Sequence, residues 1–387
     1  MKIFIESSPL NYNLTGVGQF TRYIIEALVD GDNSNEYILF NLIEKTPTWR
    51  SVIGPKPNIS YETLFKSKAA SFLYRAIRRF IYSPPIDLFF SSSTKNSIFF
   101  FPNFVQWPLL GKNTKPIIVI HDLGFIYHPQ YCTKGTQHYL GNNLDYSVKN
   151  SAHIIAVSEN TKKEILEHYK INESKVSVIN SSISHAVFNA IPQQGDEKII
   201  NHYQLTKPYI LFTGTIEPRK NIIGLLNAYE KLPNKLQQEY NLVLVGGKGW
   251  LDQEIHQKLN DLKHLNIKCI GYVPDEHLPA IYRHANLFVF PSFYEGFGIP
   301  PLEAMACGVP VICSNTSSLP EVVGSAGLLV DPHQPEQLSE AICSVLNDTD
   351  LAASMRSRGL LQAQQFSWKK SAQQLLHVFQ TIASKAS

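Results

Sequence analysis

The chain has 387 residues, of which 44% are hydrophobic and 17% are charged, and its formal net charge is +3. This composition excludes a disordered chain, and the length exceeds one ordinary α/β core but suits two. No apolar run is long enough to cross a bilayer, and the N-terminus is predicted to be a strand rather than a signal peptide. The five cysteines are scattered and form no C-x-x-C pair, which predicts a reducing, cytoplasmic location without disulfides.

Short apolar runs alternate with helical patterns along the whole chain, which predicts βαβ units, parallel sheets and an α/β fold. The predicted strands are residues 2–6, 36–40, 87–90, 116–121, 153–158 and 176–180 in the first half, and 209–213, 242–246, 267–271, 287–290, 309–313 and 328–330 in the second. Residues 191–207 are polar and lack strand signals. We therefore predict an N-terminal domain of residues 1–190, a linker of residues 191–207, a C-terminal domain of residues 208–366 and a final helix within residues 367–387.

Residues 65–82 combine five cations with many aromatic side chains. As a helix, this segment would place Phe65, Phe72 and Phe80 on one face and most of its cations elsewhere. Two interpretations are open: the segment lies on an anionic membrane surface, or its apolar face packs on the N-terminal sheet. The cations form no extended stripe with a reading motif, so no nucleic-acid partner is expected.

Two glycine-rich loops follow predicted strands. Gly16 and Gly18 resemble the start of a dinucleotide-binding fingerprint, but Thr21 stands where the third glycine would be, so the fingerprint fails. The run Val245–Gly249 ends a strand in the second half of the chain. It is either part of a nucleotide site or a simple strand-to-helix turn.

Two adjacent cations, Arg219 and Lys220, follow the predicted strand 209–213 and precede a predicted helix. The carboxyl end of a parallel strand is where α/β domains bind ligands, and such cations suit a diphosphate. Where a reaction increases the negative charge on such a phosphate, cations here would stabilise the transition state more than the ground state.

Two acidic residues, Glu295 and Glu303, lie in the most informative stretch, residues 291–315. Its pattern predicts a strand, a glycine-rich loop, a short helix that begins near Pro300 and Pro301, and a second strand. Such a unit aims backbone N–H groups at an anion. Because acids would repel a phosphate, they are expected to bind hydroxyl groups, which favours a phosphate joined to sugars.

These motifs resemble the retaining glycosyltransferases of family 4, in particular their bacterial mannosyltransferase-like branch. The resemblance covers nearly the whole chain and includes EGFG, SSLPEVVG, TGTIEPRKN, VGGKG, GYVPDEHLPAIYRHA, FSW and an HDL motif at His121. It implies the GT-B fold, with two facing Rossmann-like domains, parallel sheets and a last helix that crosses back to the N-terminal domain. It also implies an enzyme that uses a nucleotide-sugar as substrate and needs neither a cofactor nor a metal.

The resemblance implies roles for individual residues. The catalytic set comprises His121, Arg219, Lys220 and Glu295, with His121 and Glu295 facing the transferred sugar and the cations facing the diphosphate. Glu303 is expected to accept hydrogen bonds from the ribose. The remaining nucleotide-sugar contacts are expected at Gly16, Gly18, Gly247, Val273, Gly296, Phe297 and Gly298. The two D-x-D triplets, at residues 30–32 and 348–350, are predicted to be surface turns rather than metal sites.

The predicted reaction is the transfer of a hexose, with mannose from GDP-mannose favoured, to a glycan or lipid-linked acceptor in surface polysaccharide or lipopolysaccharide synthesis. A UDP-hexose donor is one alternative, and a catalytically inactive assembly partner is another. The expected location is the cytoplasm, either free or peripheral at the inner face of the membrane.

Overall fold

The computed structural model describes residues 1–11, 16–43, 53–65, 90, 94, 97–106, 110, 114–247, 249–250 and 252–384. The chain divides into two compact units. The first comprises Met1–Leu123, Lys134–Ser181 and Trp368–Ser387, and the second comprises Gly124–Thr133 and Ser182–Ser367. The chain therefore passes from one unit to the other four times.

The first unit contains a parallel sheet with the strand order β3-β2-β1-β4-β5-β6-β7. Its strands are β1 (Lys2–Glu6), β2 (Glu36–Ile43), β3 (Ile59–Phe65), β4 (Ile98–Phe101), β5 (Lys115–Ile120), β6 (His153–Ala156) and β7 (Val176–Val178). Strands buried on both faces are almost continuously apolar, and all four residues of β4 are buried. The rings of Phe4 and Phe99 stack across β1 and β4 with their centroids 4.6 Å apart.

The described α-helices of the first unit are Gly16–Gly31, Lys134–Asn150, Glu159–Tyr169 and Trp368–Ser384, and its described 3₁₀ helices are Ser8–Asn11 and Glu173–Lys175. The last helix of the chain packs on the first one, where the Trp368 ring contacts Phe20 and Tyr23. At its other end, Lys115 Nζ donates to the carbonyl oxygens of Ile382 and Ala383. A cation on the last carbonyls of a helix also complements the helix dipole.

The second unit contains a parallel sheet with the strand order β10-β9-β8-β11-β12-β13. Its strands are β8 (Tyr209–Thr213), β9 (Asn241–Val245), β10 (Ile267–Gly271), β11 (Leu287–Phe290), β12 (Val311–Ser314) and β13 (Leu328–Val330). The order reverses between β8 and β11, and ligands of open α/β sheets bind beyond the carboxyl ends of strands at such a switch point.

The described α-helices of the second unit are Gly124–Tyr127, Asp196–His202, Ile222–Glu230, Asn234–Glu239, Gln253–Asp261, Leu278–Arg283, Ile299–Ala306, Leu319–Val323, Pro335–Asn347 and Thr349–Ala363. Its 3₁₀ helices are Pro129–Tyr131 and Pro218–Lys220. Residues 191–207, which we predicted to link the domains, thus contain a helix. That helix is tied to the body of the unit by Asp196, which accepts hydrogen bonds from Arg283 at 2.7 and 2.5 Å.

The strand predictions differ from the structure in the first unit. Strands β3 and β4 were not predicted. Of the predicted strand 87–90, residues 87–89 lie outside the described part of the chain, and Phe90 lies in a bend, packed on Phe4, Phe40 and Phe99. Two Phe-rich runs lie close together in the sequence, and the second one forms the central strand β4.

For the basic, aromatic segment 65–82, the predicted helix can be compared with the structure at Phe65 only. Phe65 is the last residue of β3, rather than part of a helix, and the rest of the segment lies outside the described residues. Among the helices that are described, none combines the length and the apolar character that crossing a bilayer requires.

Candidate active site

The turn after β8 places Arg219 and Lys220 at the carboxyl edge of the second sheet. Pro218 opens a 3₁₀ helix that ends at Asn221, whose φ of 54° lies in the left-handed region that asparagine tolerates. The Asn221 side chain accepts a hydrogen bond from Gly224 N and donates one to Pro332 O. Asn221 thereby starts the helix Ile222–Glu230 and fixes the turn that carries the cations.

Both cations bind the same carboxylate, that of Glu295. Lys220 Nζ lies 2.6 Å from Glu295 Oε1, and Arg219 Nη1 lies 2.9 Å from Glu295 Oε2. Burial opposes ionisation of Glu295, but the two cations outweigh it and lower the pKa of this carboxyl to about 2. Burial also lowers the pKa of Lys220, whose ammonium lies 4.9 Å from the ring centroid of Phe290. These residues therefore form a compact charged site.

The loop that carries Glu295 is held by backbone and hydroxyl contacts. Arg219 Nη1 donates to Tyr294 O at 2.9 Å, and Ser317 Oγ accepts from Glu295 N at 3.0 Å. Ser318 Oγ lies 2.9 Å from Glu295 O and 2.6 Å from Phe297 O. Sequence reasoning used the SSLPEVVG run only as a family motif and did not identify Ser317 and Ser318 as the residues that hold this loop.

The predicted sugar-binding residues Gly296, Phe297 and Gly298 complete the loop. The Phe297 ring packs edge-on against Phe366 at a centroid distance of 5.6 Å, so the side chain belongs to the core. Gly298 has a φ of +125°, and a Cβ there would lie 2.9 Å from Leu319 Cδ2. Gly298 is thus required by the backbone conformation that starts the helix Ile299–Ala306.

Glu303 lies on that helix, in a separate hydrogen-bonded group. Its Oε2 accepts a hydrogen bond from Tyr282 Oη at 2.8 Å, and Tyr282 Oη also lies 2.6 Å from Thr213 Oγ1, on the last residue of β8. Burial raises the pKa of the Glu303 carboxyl to about 8. At neutral pH, Glu295 therefore favours the ionised form, whereas Glu303 favours the protonated form.

The glycines after β9 pack against the turn before the cations. A Cβ on Gly246 would lie 1.9 Å from Gly214 O, and one on Gly249 would lie 2.3 Å from Ile216 O. This packing favours the strand-to-helix turn as the reason for those two glycines. Gly247 meets no such restriction, and its carbonyl accepts a hydrogen bond from Ile216 N. Gly247 and the buried Val273 stay predicted nucleotide contacts.

The remaining predicted site residues lie in the first unit. His121 follows β5, and its ring lies between Phe20 and Phe104, at centroid distances of 5.1 and 5.4 Å. Its Nε2 lies 2.7 Å from Pro102 O, so Nε2 carries a proton and the neutral ring presents Nδ1 as an acceptor. Burial lowers the pKa of His121, which favours the neutral form. Gly16 and Gly18 lie in the first turn of the helix Gly16–Gly31.

Sequence reasoning missed Glu217, which joins the cation cluster. Its Oε1 accepts a hydrogen bond from Arg219 Nε at 3.0 Å and forms an ion pair with Arg219 Nη2 at 2.8 Å. The residue is only 1% exposed, and burial raises its pKa. An acid two positions before an arginine in IEPRK was the available signal, but an i, i+2 pair in a turn is usually a surface contact.

The acidic D-x-D triplets have structural partners. Asp32 accepts hydrogen bonds from Ser34, Asn35 and Tyr37, and Asp348 accepts them from the backbone at the start of the helix Thr349–Ala363. Within the described residues, no group of three or more His, Cys, Asp or Glu side chains is arranged to hold a metal ion.

Comparison with known proteins places the chain in a family. Residues 15–186 match the family model described as Glycosyltransferase Family 4, and residues 194–362 match that of Glycosyl transferases group 1. The O-antigen chain mannosyltransferase B of Escherichia coli is 34% identical over 389 residues, which cover 99% of this chain and 100% of that protein. The chain belongs to the family 4 glycosyltransferases. The predicted family is therefore confirmed, and the protein is an enzyme of the glycosyltransferase class.

Two further comparisons extend the picture of this glycosyltransferase. The serotype-specific mannosyltransferase WbdA of Escherichia coli is 34% identical over 224 residues, which are 57% of this chain and 27% of that protein. The solved sucrose-phosphate synthase of Thermosynechococcus elongatus matches the fold with a TM-score of 0.73 at 20% identity and covers 100% of both chains. The predicted GT-B class, with two Rossmann-like domains built on parallel sheets, is confirmed.

Proposed function

We propose that this glycosyltransferase moves mannose from GDP-mannose to a glycan or lipid-linked acceptor, with retention of the anomeric configuration, in surface polysaccharide or lipopolysaccharide synthesis. Support for mannose comes from the two relatives named as mannosyltransferases, one of them 34% identical over nearly the whole chain. The word O-antigen in the name of that relative supports a surface polysaccharide as the product.

The observation that carries this proposal is the charged site formed by Arg219, Lys220 and Glu295. A buried lysine and a partly buried arginine at the carboxyl edge of the sheet suit the diphosphate of a nucleotide-sugar, which gains charge as the glycosyl bond breaks. In the proposed reaction, the leaving phosphate accepts the proton of the acceptor hydroxyl on the same face of the sugar. Glu303 is proposed to bind the ribose diol through its carboxyl oxygens.

Donor identity is tested by calorimetry and by a transfer assay with GDP-mannose, UDP-glucose, UDP-galactose and an ADP-sugar. We expect tightest binding and transfer with GDP-mannose, and an α-linked product by NMR. Binding and transfer with a UDP-sugar alone would replace the proposed donor with a UDP-hexose. Failure of every nucleotide-sugar to bind would favour an inactive assembly partner.

We also propose that transfer needs no divalent metal, because protein cations take the place that a metal would have at the diphosphate. The test is the rate of transfer after treatment with EDTA. An unchanged rate is expected, and a loss that Mg²⁺ or Mn²⁺ restores would refute this part of the proposal.

A further inference from the structure

Glu217 is a buried carboxylate with uneven hydrogen bonding. Its Oε1 accepts a hydrogen bond from Arg219 Nε at 3.0 Å and forms an ion pair with Arg219 Nη2 at 2.8 Å, while Oε2 accepts none from any described residue and is itself buried. A buried oxygen without a partner costs free energy, and the cost is larger for a charged group. The arrangement therefore holds Arg219 firmly but leaves the negative charge of Glu217 poorly compensated.

The charges of the cluster balance without a ligand. Arg219 and Lys220 contribute two positive charges, and Glu217 and Glu295 contribute two negative ones. A nucleotide-sugar carries two further negative charges on its diphosphate, in a site where burial strengthens electrostatic repulsion. Binding would thus leave an excess of negative charge unless one carboxylate takes up a proton.

The geometry distinguishes the two carboxylates. Both oxygens of Glu295 are engaged, one by Lys220 and the other by Arg219. Among the described residues, the Glu217 carboxylate has a hydrogen bond or ion pair with Arg219 only, and the groups that act on it electrostatically are Arg219, Lys220 and Glu295. A proton on Glu217 Oε2 would leave Oε1 able to accept the hydrogen bonds of Arg219, so neutralisation would not release the guanidinium.

We infer that Glu217 is a positioning residue that orients Arg219 for the donor diphosphate and takes up a proton at Oε2 when the donor binds. This inference rests on the proposed function. The proton comes from solvent and forms one O–H bond, and no other covalent bond changes in this step. Donor affinity is consequently linked to pH through a residue that need not touch the donor.

Calorimetry measures this proton directly. GDP-mannose is titrated into the enzyme between pH 5.5 and 8.5 in buffers of different ionisation enthalpy, and the dependence of the observed heat on the buffer counts the protons taken up. A diphosphate diester has no group that titrates in this range. We expect the proton count for the wild type to exceed that for Glu217→Gln, which keeps an oxygen acceptor for Arg219, by up to about one proton within this range.

Two variants isolate the effect. Glu336→Gln removes an exposed carboxylate of the same unit, paired with Lys231, and should leave the proton count unchanged. Glu303 is present in both wild type and Glu217→Gln, so the difference between them reports Glu217 alone. Glu217→Asp keeps an ionisable carboxyl but shortens its reach to Arg219, and it should keep the uptake while donor affinity falls.

The outcomes separate this inference from the proposed function. Equal proton counts for the wild type and a folded Glu217→Gln overturn the inference and leave the function intact. If Glu217→Gln does not fold, loss of the uptake in Glu217→Asp overturns it instead. If only UDP-sugars bind, the same titration is made with them, and an enzyme that binds no nucleotide-sugar overturns both proposals.

Discussion

Replacement of Lys220 by alanine removes one of the two cations that hold Glu295. The ammonium lies 2.6 Å from Glu295 Oε1, and the residue is only 8% exposed. Loss of one electrostatic contact to a developing charge costs about 10²–10³ in turnover, which corresponds to about 2.7–4 kcal/mol. We therefore expect Lys220→Ala to reduce kcat by this factor at saturating donor.

The same substitution should also lower stability. Breaking a buried ion pair costs about 3–5 kcal/mol, because one charge is left buried without its partner. Arg219 still contacts Glu295 at 2.9 Å, so we expect the free energy of unfolding to fall by the lower end of that range, about 3 kcal/mol. Thermal denaturation of the free enzyme measures this loss and sets the temperature at which the variant can be assayed.

The assay is sugar transfer from the donor at saturating concentration, below the melting temperature of the variant. Lys231→Ala is the matched control, because this exposed lysine of the same unit pairs with Glu336 and should keep wild-type turnover. Wild-type kcat in folded Lys220→Ala would show that this ammonium does not act on the leaving diphosphate.

Four further predictions concern three neighbouring residues. Glu303→Gln should weaken binding of GDP by about 1.5–3 kcal/mol in calorimetry, and unchanged affinity would remove Glu303 from the ribose site. The fold raises the pKa of Glu303 from 4.5 to about 8, so the contribution of this residue to stability is lost as pH rises through this interval. The melting temperature of the wild type should therefore fall as pH rises, and that of Glu303→Gln should fall less. Ser318→Ala removes a buried hydroxyl that contacts two loop carbonyls, and it should lower the free energy of unfolding by about 1–3 kcal/mol. It should also lower kcat, and a kcat equal to that of the wild type would show that the hydroxyl is purely structural. The pKa of His121 lies below its usual 6.5, so wild-type kcat should be independent of His121 protonation between pH 7 and 8. His121→Ala should lower kcat throughout this range, and a pH–rate profile of both proteins checks both expectations.

The sequence predicted the strands of the second unit because their apolar runs are continuous and bounded by glycine, proline or polar residues. Strands β3 and β4 were missed for different reasons. Strand β3 (Ile59–Phe65) contains Ser60, Glu62 and Thr63 and lies at the edge of its sheet, so its apolar signal is diluted. Strand β4 competes with a similar Phe-rich run a few residues earlier, and only tertiary packing decides between them.

The site was predictable as a set of residues but not as an arrangement. Strand ends placed Arg219, Lys220 and Glu295 at one edge of the sheet, yet the sequence separates the cations from Glu295 by about 75 positions, and no local pattern encodes their direct contact. Glu217 was not predicted as a site residue, because an acid in a turn beside two cations is explained equally well as a surface contact. Its burial depends on the whole fold, and burial is what makes it informative.

The two acidic residues on either side of the loop at Gly296–Gly298 illustrate how one segment produces two chemical environments. Glu295 meets two cations, and its pKa is about 2, whereas burial and the charge of Asp275 oppose ionisation of Glu303 and raise its pKa to about 8. Buried ion pairs contribute little net stability, so the charged cluster is better explained by a ligand than by folding. Titratable groups whose environments drive their pKa values apart mark distinct roles within a site. On this reasoning, we propose that Glu295 orders the cations that receive the diphosphate, while Glu303 binds neutral hydroxyl groups and becomes ionised only when they donate to it.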